Sequence, residues 1–539
     1  MRPLTLPALA FALGIALAGV AHPPLALALA AVVVAGLGCA FPRTAPGSLP
    51  ALWLGLGLLN QILAQRPEGR HDLRLLSPPE PRLATLRVWL VESPTVRVVE
   101  RQGHLAERST VRARVEAWQP QAGPWEPARG LVAISFPGAL PPGFGRGRPA
   151  EVFGVLQAPG ESEAPGLFDY RSHLAHTRIH RHLATATPDD WRPVPSADPG
   201  PPLSDRFLPW AHATLARGLP DDPAARLVRG MLLGWRTALT EDVEEPFMRS
   251  GTLHVFAISG LHIALLTTTL VQMLRLLRLP RIACGLLSLP FLWFYLAATG
   301  WQPSAVRAGV MGTVVVGSWA LSRPADLLNS LAAAALLILV PEPGQLFLAG
   351  FQLSFGVVAG LALIAPAIQD WLLARIAFDP LLPEDLRPRW QRWLAVPLRA
   401  ATLNLATTLA AWLAALPLTL HHFHLLNPVS LIANLVVVPL SGLALVAGVL
   451  SLALGALLPP AAEWTNQSAW FWMQGMIAAS EFCARVPGGS WYSAAPPWPW
   501  WVLYYGLLAA LLAGWASIPR RRAWLAGAAG CASLAALAA

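Results

Sequence analysis

The chain has 539 residues, of which 55% are hydrophobic and only 13% are charged, and its mean hydropathy is +0.49. Soluble domains carry about 25% charged residues, so the composition excludes an ordinary soluble protein and predicts a polytopic membrane protein. The net charge of +9 comes entirely from arginine, because no lysine occurs. The four cysteines are widely spaced, which predicts neither a disulfide framework nor a metal site.

Residues 1–65 contain three apolar segments, and the second and third lie at 25–41 and 52–63. Because they follow one another closely, we predict that the first is a retained transmembrane helix and not a cleaved signal peptide. Arg2 and Arg43 place the N-terminus in the cytoplasm, since basic residues mark the cytoplasmic side. Three crossings then place the following region outside the cytoplasm.

Residues 66–220 are polar and rich in proline and glycine, which predicts an inserted extracytoplasmic β domain followed by connecting helices. Val111, Ala113 and Val115 alternate with Arg112 and Arg114, the period of a half-buried strand. Similar short runs predict strands at 84–91, 95–100, 110–118, 131–136 and 151–157, and a helix is predicted at 170–183. Five short strands favour a small β-barrel such as an OB-fold. A sandwich fragment fits nearly as well.

The predicted β domain offers a few side chains that could contact nucleic acid. Its arginines only slightly outnumber its acidic residues, which is weak electrostatic support for such binding. Arg112, Arg114 and Trp118 are nevertheless candidates, because OB-folds stack bases on aromatic rings. Trp118 and the other aromatic side chains could equally be core residues; these are Trp89, Trp125, Phe136 and Phe144.

Residues 221–539 are again dominated by apolar segments and form the predicted transmembrane domain. Spans are predicted at 255–274, 285–299, 305–321, 327–340, 347–367, 400–420 and 501–515. An arginine-rich loop between 375 and 399 is expected on the cytoplasmic side. Pro439, Ser441 and Gly442 interrupt the segment 431–458, which favours a broken or re-entrant hairpin there. A crossing at 470–482 is the alternative.

A cluster of polar residues lies at the start of the span at 255–274. His254, Ser259 and His262 are its most reactive members. Ser259 and His262 would share a helix face, so they could act as nucleophile and base in an intramembrane serine hydrolase. No acidic residue nearby in sequence would orient the imidazole. We therefore favour a structural role or the lining of a polar path.

Further polar residues occur within the predicted spans. Arg307 lies near the outer end of its span, where it either snorkels to the interface or faces a polyanion. Together with the histidines, the remaining candidates suggest a common polar interior; they are Gln352, Ser354, Asn404, Asn427 and Asn434. His421, His422 and His424 lack the Asp-His pair of a metal-binding run, so we expect no metal and no other cofactor.

Four motifs resemble the ComEC family of competence proteins. They are PGLFDYRSHL at 165–174, LLGWR at 232–236 continuing to HVFAISGLH at 254–262, GFQLSFG at 350–356, and HFHLLNPVSLIANLVVVP at 422–439. The resemblance implies an inner-membrane channel at 221–539 that moves single-stranded DNA from the periplasm to the cytoplasm during natural transformation. It also implies a periplasmic OB-fold that receives DNA, and we expect no enzymatic activity.

The resemblance also implies partners. A periplasmic DNA-receptor protein would deliver DNA, and a cytoplasmic helicase-like ATPase would pull it, because the chain has no phosphate-binding GxxxxGK[ST] loop. Many members end in a metallo-β-lactamase-like domain, whose HxHxDH signature is absent here. A separate nuclease is therefore a further candidate partner. A secondary transporter of a small solute is the remaining rival, although we find no internal repeat.

Overall fold

The computed structural model describes residues 3–41, 45–92, 94–101, 104–121, 123–138, 140, 143–162, 168–194, 203–234, 241–256, 258, 260–323, 326–376, 388–456 and 458–512. The chain divides into two compact units. Unit 1 comprises Met1–Glu244, Val255–Phe351 and Gly442–Gln474, and unit 2 comprises Glu245–His254, Gln352–Ser441 and Gly475–Ala539.

Three apolar helices begin unit 1, as the sequence predicts. They are α1 (Thr5–Ala21), α2 (Leu25–Cys39) and α3 (Ala45–Gln65). Helices α1 and α3 approach each other closely through glycines. A Cβ atom on Gly14 would lie 2.0 Å from the Leu54 carbonyl oxygen, and one on Gly57 would lie 2.0 Å from that of Phe11. Small residues permit this close packing. Arg2 and Arg43 lie outside the described residues.

The β domain belongs to unit 1 and follows the short helix α4 (Leu73–Leu76). Its strands are β1 (Arg82–Leu90), β2 (Thr95–Arg101), β3 (His104–Pro120), β4 (Glu126–Pro127), β5 (Leu131–Pro137), β6 (Pro149–Gln157), β7 (Ile179–Ala184) and β8 (Trp191–Pro193), with helix α5 (Tyr170–His176) between β6 and β7. All five predicted strands are confirmed. The pairing runs β1-β3-β5-β7-β6 and returns to β1, so five strands form a closed ring of hydrogen bonds.

Alternation along the strands builds the core of this domain. Leu86 and Val88 of β1 and Val111 and Val115 of β3 are buried in one cluster, while the residues that alternate with the buried ones along each strand are less buried. The inward set is apolar and the outward set is mostly polar, which is the period of a strand with one buried face.

The predicted helix at 170–183 is wrong in its second half. Helix α5 ends at His176, Arg178 adopts a left-handed conformation with φ of 62°, and β7 follows. Strand β7 pairs in parallel with β5 and antiparallel with β6, and Leu183 joins the core. Because β7 fills the gap between two strands that are distant in sequence, tertiary pairing overrides the local helical pattern.

The rest of the described chain is mainly helical. The helices are α6 (Leu203–Ala216), α7 (Pro223–Leu233), α8 (Glu241–Arg249), α9 (Gly260–Leu276), α10 (Arg281–Ala298), α11 (Pro303–Ala320), α12 (Leu327–Leu339), α13 (Ala349–Leu363), α14 (Ala365–Ile376), α15 (Arg389–Phe423), α16 (Ser430–Gly455), α17 (Pro459–Ala484) and α18 (Trp498–Leu512). In unit 2, β9 (Leu425–Leu426) pairs with β10 (Trp491–Tyr492).

Among the described residues, five helical stretches are long and apolar enough to cross a membrane. These are Pro46–Gln65, Arg281–Ala298, Ala349–Arg375, Trp393–Phe423 and Ser430–Gly455. Helix α11, which carries Arg307, is not among them, because several small polar residues accompany the arginine.

Two further predictions about the helices require correction. The predicted hairpin at 431–458 is wrong, because α16 continues through Pro439; Ser441 donates a hydrogen bond to the carbonyl of Val438 and helps the helix accommodate the proline. The predicted loop before residue 400 is partly helical, since α15 begins at Arg389. The segment 513–539, with its three consecutive arginines, lies outside the described residues.

Candidate functional site

The β-domain candidates occupy different environments. Arg112 donates from Nη2 to Oε2 of Glu92 at 2.7 Å, and this hydrogen bond raises the pKa of Arg112 above its ordinary value. Its charge is therefore matched by a neighbour. Arg114 is exposed on the outer face of β3.

The structure corrects the choice of Trp118 as a surface for stacking bases. Trp118 is only 8% exposed, packs in the core, and donates from its indole nitrogen to Glu126 at 3.3 Å. The local twist of the ladder explains this position, because the register shifts between Arg87 and Val88 and turns the end of β3 inward. Phe136 and Phe144 also pack in this core.

Other aromatic rings remain on the outside of the domain. Trp89 is 38% exposed and lies opposite Arg114 in the ladder, and the guanidinium of Arg87 lies 5.0 Å from the ring centre of Trp125. Phe153 of β6 is also exposed and was missed by the sequence reasoning, although its position between buried Val152 and Gly154 could have revealed it. The outer face around β1 thus combines aromatic rings with arginines.

Within unit 1, the β domain contacts the segment between α12 and α13. The ring of His176 stacks on Phe347 with a centroid distance of 4.7 Å, and Arg178 donates to the carbonyl of Pro341 at 3.0 Å. Gly344 is required there, because a Cβ atom would lie 2.0 Å from the His176 carbonyl oxygen. Burial, reinforced by the nearby His173, lowers the pKa of His176 and keeps its ring neutral at pH 7.

A second contact joins the β domain to the connection between α10 and α11. The guanidinium of Arg146 lies 5.3 Å from the ring centre of Trp301, which has a left-handed backbone with φ of 54°. The Trp301 indole nitrogen is buried and has no hydrogen-bond partner among the described residues. Gln302 donates to the carbonyl of Gly234 at 3.4 Å. The β domain is therefore attached at the connections of α10 with α11 and of α12 with α13.

Arg307 follows this connection by one turn of α11. It is only 5% exposed, and its Nε atom is buried without a hydrogen-bond partner in the described part of the chain. No ion pair joins it to a described carboxylate. Buried charges are normally paired, because burial without a partner is costly. Among the described residues of unit 1, Arg307 is therefore a buried charge without a compensating partner.

The predicted cluster of histidines and serine is only partly described. His262 is buried in α9 of unit 1, whereas His254 lies in a short 3₁₀ segment of unit 2, with its Nδ1 atom 3.2 Å from the Gly251 carbonyl oxygen. Ser259 lies outside the described residues, and α9 begins only at Gly260. The pairing of Ser259 with His262 stays a prediction.

Unit 2 holds the other polar candidates. Gln352 Oε1 lies 2.8 Å from His422 Nε2, and Asn404 donates to the carbonyl of Leu435 at 3.3 Å. The side-chain oxygen of Asn434 is buried without a described partner, and Ser354 is half-buried. The common polar interior stays a prediction. Among the described residues, no group of three His, Cys, Asp or Glu side chains could hold a metal ion.

A family model and two curated proteins match parts of this chain. A family model described as "Competence protein" matches residues 231–518. The ComE operon protein 3 of Bacillus subtilis (strain 168) is 28% identical over 315 residues, which cover 58% of this chain and 37% of that protein. The uncharacterized protein YcaI of Escherichia coli (strain K12) is 25% identical over 298 residues, covering 53% and 36%.

The match therefore spans little more than a third of these curated relatives. No solved structure matches the chain.

Proposed function

The chain belongs to the competence-protein family, and on this premise we propose that it acts in DNA uptake as a channel for one DNA strand across the inner membrane. The five long apolar helices support a multi-pass membrane protein. Its N-terminus would be cytoplasmic and its β domain periplasmic. Passage would run from the periplasm to the cytoplasm, without chemical change to the DNA.

The β domain would receive the strand. Its closed ring of strands, with β5 and β7 parallel and the other pairs antiparallel, supports an OB-type barrel. The exposed aromatic rings around β1 would stack unpaired bases, and the neighbouring arginines would contact the backbone. Stacking does not depend on base identity, which suits a protein that takes up DNA of any sequence.

Arg307 is the single observation that carries the channel proposal. A guanidinium buried in an apolar helical region without a carboxylate partner is unfavourable unless it meets an anion at some stage of function. A phosphate of the passing strand would supply that anion transiently. A permanent carboxylate would instead neutralise the arginine and remove its attraction for DNA.

The driving force and the partners are part of the proposal. The chain has no phosphate-binding loop of the ATPase type, so a cytoplasmic helicase-like ATPase would pull the strand. A periplasmic receptor would present the DNA, and a separate nuclease would remove the other strand. The family model covers residues 231–518 and supports none of these partners individually.

The test follows labelled DNA in cells that lack this gene, with periplasmic and cytoplasmic DNA scored separately. We expect DNA to reach the periplasm and to stop there. Complementation with Arg307→Gln should restore at most about a tenth of the import, because a charge-assisted hydrogen bond is lost. Arg485→Gln, which removes an exposed arginine paired with Glu481, should restore import fully.

Unchanged cytoplasmic arrival in the deletion strain would overturn the channel proposal. The same strain separates the channel from the hydrolase alternative. If the protein is a channel, Ser259→Ala should support normal import. If import depended on a serine hydrolase activity of this chain, removal of that hydroxyl would abolish it.

A further inference from the structure

The guanidinium of Arg307 lies against the first turn of α13. A Cβ atom built on Gly350 would be 3.3 Å from Nη2 and 3.7 Å from Nη1 of Arg307. The two residues are 43 positions apart in sequence, so their proximity is a product of helix packing in unit 1. Glycine leaves the space between the helix backbone and the guanidinium open.

The first turn of α13 is itself electropositive. Helix α13 has 15 residues, and the first amide groups of a helix have no partner within it. The amides of Ala349 and Gly350 make no hydrogen bond among the described residues. Gly350 is exposed, whereas the side chain of Arg307 is nine-tenths buried or more. A buried, unpaired guanidinium therefore faces an accessible helix N-terminus.

We propose that Arg307 and the first turn of α13 form a binding site for one phosphate group, supplied by a phosphodiester of the transported strand. The source of the phosphate rests on the proposed function. The planar guanidinium offers two parallel donors that match two phosphate oxygens. The amides of Ala349 and Gly350 then bind a further oxygen, and the positive end of the helix stabilises the charge.

Gly350 is a specificity-determining residue of this site. A side chain there would occupy the space in front of the guanidinium that the phosphate needs. A lipid headgroup carries similar chemistry but is a poorer fit, since Arg307 is enclosed by protein.

The test measures the affinity of the full chain for a fluorescent oligothymidylate, in nanodiscs of neutral phosphatidylcholine, at several salt concentrations. Arg307→Gln should weaken binding about tenfold. It should also make the slope of log affinity against log salt shallower by about 0.7, the value for one phosphate contact on a single strand. Gly350→Val should produce the same two changes. Arg307→Lys should keep the slope while weakening binding, because the charge stays but the fork is lost.

Two controls and two probes define the contrary outcomes. Arg485→Gln and Gly317→Val should leave both affinity and slope unchanged; Gly317 lies on α11, and no atom is within 4 Å of its added Cβ.

An oligomer with neutral methylphosphonate linkages should bind the wild type and Arg307→Gln equally. An unchanged slope in both Arg307→Gln and Gly350→Val would overturn the phosphate site. Competition by phosphatidylglycerol that disappears in Arg307→Gln would assign the site to a lipid headgroup and overturn the phosphodiester assignment.

Import assays separate this inference from the proposed function. If deletion of the gene blocks import while Arg307→Gln and Gly350→Val support it fully, the channel stands and the phosphate site fails. If deletion leaves import unchanged, the channel proposal fails whatever the binding data are.

Discussion

The β domain and the helices of the same unit differ in whether their buried or half-buried charged side chains have partners. In the β domain, Arg74 is paired with Asp72, Arg87 with Glu151 and Arg112 with Glu92, all within 2.8 Å. In the helices of the same unit, Arg307 is buried with no such partner. This difference agrees with the proposed function, in which the unpaired Arg307 binds a passing anion whereas the paired charges stabilise the β domain.

The largest expected effect tests whether the pairs of the β domain stabilise it. Asp72 is buried and accepts hydrogen bonds from the backbone and side chain of Arg74 and from the amide of Glu68. Asp72→Asn should lower the free energy of unfolding of the domain by about 3 kcal/mol, because it leaves the guanidinium unpaired. Hydrogen exchange of the strand amides in the full chain measures this. Glu161→Gln, which removes an exposed partner of Arg171, should cost about 0–1 kcal/mol.

The pH dependence of this difference follows from the pKa of Asp72. Burial acts to raise it, but the hydrogen bonds from Arg74 and Glu68 outweigh burial and hold it below its ordinary value of 3.8. The stability that Asp72 contributes is therefore present above pH 3.8 and is lost as the pH falls through the lower folded-state pKa. If wild type and Asp72→Asn differed as much in free energy of unfolding well below that pKa as they do at neutral pH, the role of the carboxylate would be contradicted.

The next effect concerns α1 and α3, which contain no charged residues and are held together by close packing. Gly57→Val should destabilise the contact of α1 with α3 by about 1–3 kcal/mol, since its Cβ would lie 2.0 Å from the Phe11 carbonyl oxygen. Gly36→Val on α2 is the matched control, because nothing lies within 4 Å of its added Cβ. Thermal unfolding in detergent compares the two. Equal stability of the two variants would show that this close packing does not stabilise the helices.

The third prediction separates outer from inner aromatic rings of the β domain. Trp89→Ala should weaken oligonucleotide binding by about 1–3 kcal/mol, the contribution of one stacked base, while stability changes little. Trp118→Phe should lower stability and leave binding unchanged, because that ring is in the core. Fluorescence anisotropy with the same oligomer measures binding. If Trp118→Phe weakened binding and Trp89→Ala did not, Trp118 would again be a candidate for DNA contact.

Local patterns predicted the fold where burial alternates along one segment. Strands β1, β3 and β6 were found because their residues alternate, whereas β5 was found as a short apolar run. Strand β7 was missed, because its polar residues His180, Arg181 and His182 hide the apolar pair of Ile179 and Leu183. The break predicted at Pro439 failed for a related reason: a proline signal is local, whereas an apolar helix can be held together by its neighbours.

The candidate site shows the same division between local and tertiary information. Arg307 was identified because an arginine in an apolar run is conspicuous in any sequence. Its position opposite Gly350 could not be predicted, since it depends on how two helices pack. Likewise, nothing in the alternation along β3 revealed that a register shift turns Trp118 inward.

The last prediction concerns His182, which shows that the folded β domain excludes a charge that would have no partner. His182 lies on β7 opposite Ala133 of β5 and Gln157 of β6. Burial, reinforced by the positive charge of Arg108, lowers its pKa from 6.5 to about 4. The folded domain therefore holds this imidazole neutral, in contrast to Arg307, which cannot lose its charge at pH 7.

The sign of the pH effect follows from this lowered pKa. The unfolded chain binds a proton near pH 6.5 that the folded domain accepts only near pH 4. The free energy of unfolding therefore falls as the pH is lowered from 6.5 to 4, at most by about 1.4 kcal/mol per pH unit for one proton. His182→Gln should flatten this dependence in hydrogen exchange of β7. His22→Gln, which alters an exposed residue at the end of α1, should not. If stability depended on pH in the same way in His182→Gln, the proton would bind to another group. The claim that this part of the β domain excludes an unpaired charge would then lose its support.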